Sequence, residues 1–398
     1  MKFIRNRKEA VFRRRKIMIK AEMTELKKLL TPKNCTISRI CGCYVDGDKN
    51  KKATFARSFL ALPEEEQFKY FEILRKPLSG TPGKTAIDLN FPLDAEMGDG
   101  QQVFLRRLRE SGLKDDELLD AYYNQIITSF EYVGNYLILV IHDAYDVPGK
   151  ASDGMEMIDA SDEVYEYIMT VICPVNLTEP GLSYDPVENT FRNRNRDWVV
   201  ELPVLSYLFP AFNDRTSDIH SVLYYSKDAE NLNENFVEMM LGCKIPMTAG
   251  AQKETFQTLV EETLGETCEF EAVKNIHEKM TELIEEHREE LAPLVLDKQD
   301  MRSLLASSGV ANEKMADFDT HYEEVASGTE APLFVSNVFN SRSFDIKTPD
   351  VVVKVKPDRT DLIDKRSVDG RPCLVIELGG DVEVNGISVR AVSPKDEE

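Results

Sequence analysis

The chain has 398 residues, 42% of them hydrophobic and 30% charged, proportions of a folded protein in which disorder is not the default. Its formal net charge of −21 argues against nucleic-acid phosphates and anionic lipid surfaces as partners. The longest unbroken apolar stretch runs only from Tyr136 to Ile141, too short to cross a membrane, and seven cysteines show no paired framework, so we expect a reduced, cytoplasmic protein.

Residues 1–20 hold nine Lys and Arg against one Glu, on a body that is otherwise strongly acidic. The first 22 residues read as a solvated basic extension. Met18 and Met23 follow its arginine run, and we expect synthesis to start at one of them.

Residues 23–30 have helical spacing at Leu26, Leu29 and Leu30 and stop at Thr31-Pro32. Residues 35–45, CTISRICGCYV, alternate and are rich in β-branched residues, which predicts a strand followed by an Asp-Gly turn. Pro63 and three glutamates open a helix whose apolar face carries Phe68, Phe71, Leu74 and Leu78. Two more helices follow, the second starting at Asp115-Asp116 and ending by Gly134. The run NYLILVIHD suits a strand covered on both faces. Residues 163–175 read as another strand, with Ser161-Asp162-Glu163 leaving a helix start open, and WVVEL and HSVLYYS add two more.

From about Thr248 the pattern turns helical. In residues 269–291 one stripe joins Phe270, Val273, Ile276, Met280, Leu283 and Ile284, while His277 and His287 read as surface residues. Residues 326–332 read as a linker. Four short strands then follow in DVVVKV, DLIDKRSV, CLVIEL and VEVNGISV, with Asp-Gly and Asn-Gly turn signals. The fold class is therefore α+β, with a mainly antiparallel or mixed central sheet, flanking helices, a helical segment and a small C-terminal β unit. The expected domains are residues 23–247 (α+β core), 248–325 (helical) and 333–392 (β).

Chemistry is harder to find. LSGTPGKT, residues 78–85, ends like a phosphate-binding loop, but Leu78 stands where the first glycine belongs, and no strand precedes it. An ordinary turn explains it. Cys35, Cys41 and Cys43 have no second ligand pair for zinc and read as buried small hydrophobes. The best candidates are His142, Asp143 and Asp146 at the end of the most apolar strand. Asp214, Arg215 and His220 precede a later strand. If those strands were neighbours, two imidazoles and several carboxylates would converge for metal binding or proton transfer. Turn formation and ion pairing are the competing reading. Arg192, Arg194 and Arg196 recur at period two and would share a strand face fit for a phosphate or carboxylate, or else pair with Asp185 and Glu188. No cofactor is indicated.

Several phrases together, among them RICGCYVDG, GNYLILVIHDAYDVP, FPAFNDR, QKETFQTLVEETLGE and KTPDVVVKVKPDRTDL, resemble a bacterial family known as domain of unknown function 4317. The resemblance spans about Met23 to Val389. It implies a cytoplasmic protein of Gram-positive, mostly anaerobic bacteria and a start near Met23, and it supplies no catalytic residue. The expected role is a regulatory protein binding a small ligand, or a protein partner through the acidic helices of residues 250–325. The alternative is a metal-dependent or acid/base hydrolase built on the His142 and His220 clusters.

Overall fold

The computed structural model describes residues 17–389 except 94, 96–97, 151–155, 266–267, 312, 326–331 and 379–381. Most of the basic extension, most of the expected linker and the charged C-terminal tail lie outside the described residues. The chain forms two compact units, one reaching to Gly250 and including Leu291–Pro293, the other comprising Ala251–Glu290 and the chain from Leu294 onward.

The first unit begins with α1 (Lys20–Leu29), then β1 (Arg39–Val45) and β2 (Lys51–Ser58), α2 (Glu64–Arg75) and β3 (Ala86–Asn90). Next come α3 (Gln101–Glu110), α4 (Asp116–Ser129) and a long hairpin of β4 (Asn135–Lys150) and β5 (Glu156–Leu177). Short strands follow: β6 (Leu182–Asp185), β7 (Thr190–Asn193), β8 (Trp198–Val200), β9 (Leu205–Phe209), β10 (Ala211–Asn213), β11 (Thr216–Asp218) and β12 (Ser221–Ser226). The main sheet has the order β2-β1-β4-β5-β9-β12-β3, with β8 also on β5, and every pairing is antiparallel. Residues 163–175 are strand throughout, so the open helix start at Ser161 is not used.

The apolar run in β4 is buried on both faces, as its composition demands. Tyr136, Ile138 and Val140 join one core with α3, α4 and the segment around Phe236. Leu139 and Ile141 join a second core with α1, α2, Phe59 and Phe212. Local signals set the helix ends. The Asp115 carboxylate accepts from the Leu118 amide at 3.0 Å and caps α4. Phe71 and Leu74 of α2 are fully buried, whereas Phe68 is 48% exposed. At 100° per residue, Phe68 lies 60° from Phe71 on the side away from Leu74, at the margin of the apolar stripe.

The second unit contains α5 (Ala249–Leu264, starting at the boundary), α6 (Phe270–Glu286), β13 (Val295–Leu296), α7 (Lys298–Ser307), α8 (Phe318–Val325), β14 (Leu333–Phe334) and the single turn α9 (Val335–Val338). Three hairpins finish it: β15 (Phe344–Lys347) with β16 (Val352–Val355), β17 (Ile363–Val368) with β18 (Arg371–Ile376), and β19 (Val382–Val384) with β20 (Ile387–Val389). VEVNGISV is thus two strands rather than one, folded at Asn385-Gly386, whose φ values of 51° and 82° are those of a tight hairpin turn. The surface reading of His277 is corrected. Its ring is 7% exposed and lies between Phe339 and Phe344, with centroids 4.7 and 4.8 Å away.

Candidate functional site

Alternation along β4 sends His142 and Asp143 to opposite faces of the sheet. His142 is buried, and its two ring nitrogens have different partners. Nε2 lies 2.7 Å from Glu166 Oε1, and Nδ1 lies 2.9 Å from Ser38 Oγ. The Ser38 hydroxyl also reaches the His142 carbonyl at 3.2 Å. A neutral ring donating from Nε2 to Glu166 accepts the Ser38 proton at Nδ1. A charged ring donates to Ser38 Oγ and turns that proton to the carbonyl. The ring is therefore held at both of its nitrogens. Glu166 and Ser38 were not picked from sequence; Glu166 sits two residues from β5's pairing partner of His142, Ile168, a neighbourhood visible only once the register is known.

Asp143, on the other face, is fully buried. It accepts from the Tyr167 hydroxyl at 2.7 Å and the Ala144 amide at 2.9 Å, and the Thr36 side chain also bonds it. Burial pushes its carboxyl above the usual carboxylate range, and these donors offset only part of that. Asp146 is exposed near the end of β4.

Asp214 and Arg215 occupy the two-residue turn between β10 and β11, with φ of 53° and 58°. The Arg215 guanidinium holds both oxygens of Glu25, through Nε at 3.0 Å and Nη2 at 2.8 Å, and donates to the Pro148 carbonyl at 3.1 Å. The Tyr145 hydroxyl donates to the same Glu25 at 2.9 Å. Glu25 beside it raises the Arg215 pKa above its ordinary value. Glu22, one turn earlier on α1, accepts from the Arg215 amide at 3.1 Å, and burial raises its pKa. This is a cross-link between α1 and the β10–β11 turn.

His220 is exposed at the start of β12, its amide donating to Asp218 Oδ1 at 3.1 Å. The condition for convergence with His142 is not met, because β5 and β9 stand between β4 and β12. Three strand spacings of about 4.8 Å put the two strands roughly 14 Å apart. Among the described residues, no group of three or more His, Cys, Asp or Glu is arranged to hold a metal ion.

The three arginines do not share a strand face, since β7 ends at Asn193. Arg192 pairs with Asp185 at 3.2 Å, the Arg194 amide donates to the Gly181 carbonyl at 2.8 Å, and Arg196 Nε donates to the Thr178 carbonyl at 2.7 Å. LSGTPGKT forms a turn in which the Thr81 carbonyl accepts from the amides of Lys84, Thr85 and Ala86. It opens β3 rather than a helix, so no row of helical amides faces a phosphate. Cys41 and Cys43 are buried in β1, and burial pushes the Cys43 thiol up to about 11.

A further site lies in the second unit. A cleft of about 550 Å³ opens between β15–β16 and β17–β18. Ile346, Val353, Leu374 and Ile376 line it with Phe270 of α6, and Lys365 is one of its few polar wall residues. Sequence reading took these strands as plain structure. The available signal was CLVIEL, apolar on both faces as a central strand would be, whereas β18 pairs only with β17 among the described residues.

No helix among the described residues is long and apolar enough to cross a membrane. No protein with a curated description matches the chain closely enough to count as a relative. Residues 18–387 match one family model, that of a domain of unknown function (DUF4317), and since the match covers nearly the whole chain, the protein belongs to that family.

Proposed function

We propose that this is a non-catalytic, regulatory binding protein of the cytoplasm whose second unit takes a small apolar ligand into the cleft between β15–β16 and β17–β18. The observation that carries this reading is the cleft. Its volume of about 550 Å³ is that of a small-molecule site, roughly 300–1,000 Å³. Its walls leave Leu374 39% and Ile376 46% exposed. Apolar surface left in water forgoes about 25 cal/mol per Å² that a packed arrangement would gain, and such patches mark places that something else covers. Occupancy of the folded state by a ligand raises its stability, which gives a regulatory output. Seven free cysteines agree with a reducing compartment. The acidic helices within residues 250–325 offer the face for a protein partner, and nucleic acid has no part in this reading.

Titration with an uncharged fluorescent probe, N-phenyl-1-naphthylamine, tests it. Saturable one-to-one enhancement in the wild type and its loss in Leu374→Glu are expected; no saturable binding would end the proposal.

A second reading, an acid–base hydrolase, draws on the contacts of His142 with Ser38 and Glu166. Ser38 is exposed and hydrogen-bonded to an imidazole that is itself held by a carboxylate. A fluorophosphonate probe that leaves Ser38 unmodified would remove it.

A further inference from the structure

We infer that the ligand of this cleft is a single-chain anionic amphiphile, a free fatty-acid-like carboxylate whose tail lies on the apolar walls and whose head meets Lys365. The inference rests on the apolar-cleft reading above and names the ligand class.

Alternation in β17 places Ile363 and Lys365 on the cleft side and Asp364 and Arg366 on the other. The outer pair neutralises itself, Arg366 Nε donating to Asp364 Oδ2 at 2.7 Å. Among the described residues the inner cation has no such partner. Lys365 faces Leu374 across the hairpin, and among the described residues no carboxylate stands within ion-pair distance of its ammonium. Thr348, another polar lining residue, is occupied in its own turn, accepting from the Val351 amide at 3.0 Å and donating to the Val351 carbonyl at 3.3 Å. Among the described residues the cleft thus presents apolar walls and one positive charge without a carboxylate partner, which match an aliphatic chain ending in an anion.

A partner strand on the open edge of β18 fits less well. The two-residue turn at Asp369-Gly370 makes Val368 and Arg371 the hydrogen-bonded pair, and Glu377 N donating to Leu362 O at 2.8 Å keeps that parity. Positions 372, 374 and 376 therefore face the open edge. The first is Pro372, which has no N–H to give, a feature that discourages strand addition. A membrane surface fits less well too, since a body of net charge −21 repels anionic bilayers.

The experiment is calorimetric titration of the full chain, below micellar concentrations, with octanoate, dodecanoate, tetradecanoate and uncharged tetradecanol. Site occupancy is read in parallel as displacement of N-phenyl-1-naphthylamine from the same cleft. Each added methylene is expected to tighten binding roughly three- to fourfold until the cleft is filled. Lys365→Met should weaken tetradecanoate at least tenfold, leave tetradecanol unchanged and be rescued by Lys365→Arg. Equal affinity for the alcohol and the acid, or a Lys365→Met variant that binds the acid as well as wild type, overturns the anionic head while leaving the apolar cleft standing. Failure of every compound to bind or to displace the probe overturns both.

Discussion

Arg215 holds both carboxylate oxygens of Glu25, a residue 190 positions earlier in the chain, at 2.8 and 3.0 Å. The pair is largely covered, with side-chain exposures of 16% and 21%. Two planar groups meeting at two points fix both distance and angle, so the contact orients α1 against the β10–β11 turn. Removing one partner leaves the other charge desolvated. We expect Arg215→Ala to destabilise the first unit by roughly 3 kcal/mol, with Arg215→Met plus Glu25→Leu recovering much of that loss. Urea denaturation of Arg215→Met, Glu25→Leu and the double variant measures the coupling, and additive losses would show that the grip contributes nothing.

That contact also marks the limit of what the sequence reveals. The buried strand through Ile138 and Val140, the Asp115 cap and the Asn385-Gly386 turn were legible because period, capping and turn chemistry act over a few residues. β2 was missed because KKATFARS, an exposed edge strand, carries the charges that protect edges and so lacks an apolar signal. β9 was missed because five residues behind Pro203 are too few to show a period. Of the candidate site, the polar tip at His142 and Asp143 was visible as residue types. Which residues those side chains touch depends on strand order and register, and no local pattern encodes those. The separation of His142 from His220 by two intervening strands, and the commitment of Arg215 to Glu25, follow from that order.

The Asp143–Tyr167 bond gives a pH-dependent prediction. A carboxyl whose folded pKa is raised lowers stability while it is charged in both states. Stability recovers as pH falls through the folded value toward the unfolded one near 3.9. The Tyr167 hydroxyl supports the charged form. Tyr167→Phe should therefore cost about 1–3 kcal/mol at pH 8. The loss should shrink at acid pH, where Asp143 in the folded state is already protonated. Denaturant titrations at the two pH values decide this, and a loss that grows on acidification would contradict it.

His277 titrates in the opposite sense for stability. Burial between Phe339 and Phe344 lowers its pKa. The folded second unit thus favours the neutral ring, while the unfolded chain takes up a proton near pH 6.5. The stabilising contribution is complete above that value and declines as pH falls through it toward the lower folded pKa. We expect the second unit to lose thermal stability between pH 7.5 and pH 5, and His277→Leu to flatten that dependence. Melting curves across the range check both, and an unchanged slope in the variant would move the effect to another group.

Cleft walls and core walls should respond differently to the same kind of change. Ile363 is 1% exposed, at the floor between β17 and the body of the second unit, whereas Ile376, its cross-strand partner, is 46% exposed. Truncating the buried side chain removes packing on all sides, so Ile363→Ala should cost about 2–5 kcal/mol. Ile376→Ser removes contacts from one side only and takes an apolar group out of water, so its effect should stay within about 0.5 kcal/mol of zero. Apolar-probe binding should be nearly abolished in Ile376→Ser at unchanged melting temperature. If Ile376→Ser destabilised the unit as strongly as Ile363→Ala, the cleft would be part of the core rather than a place for a ligand.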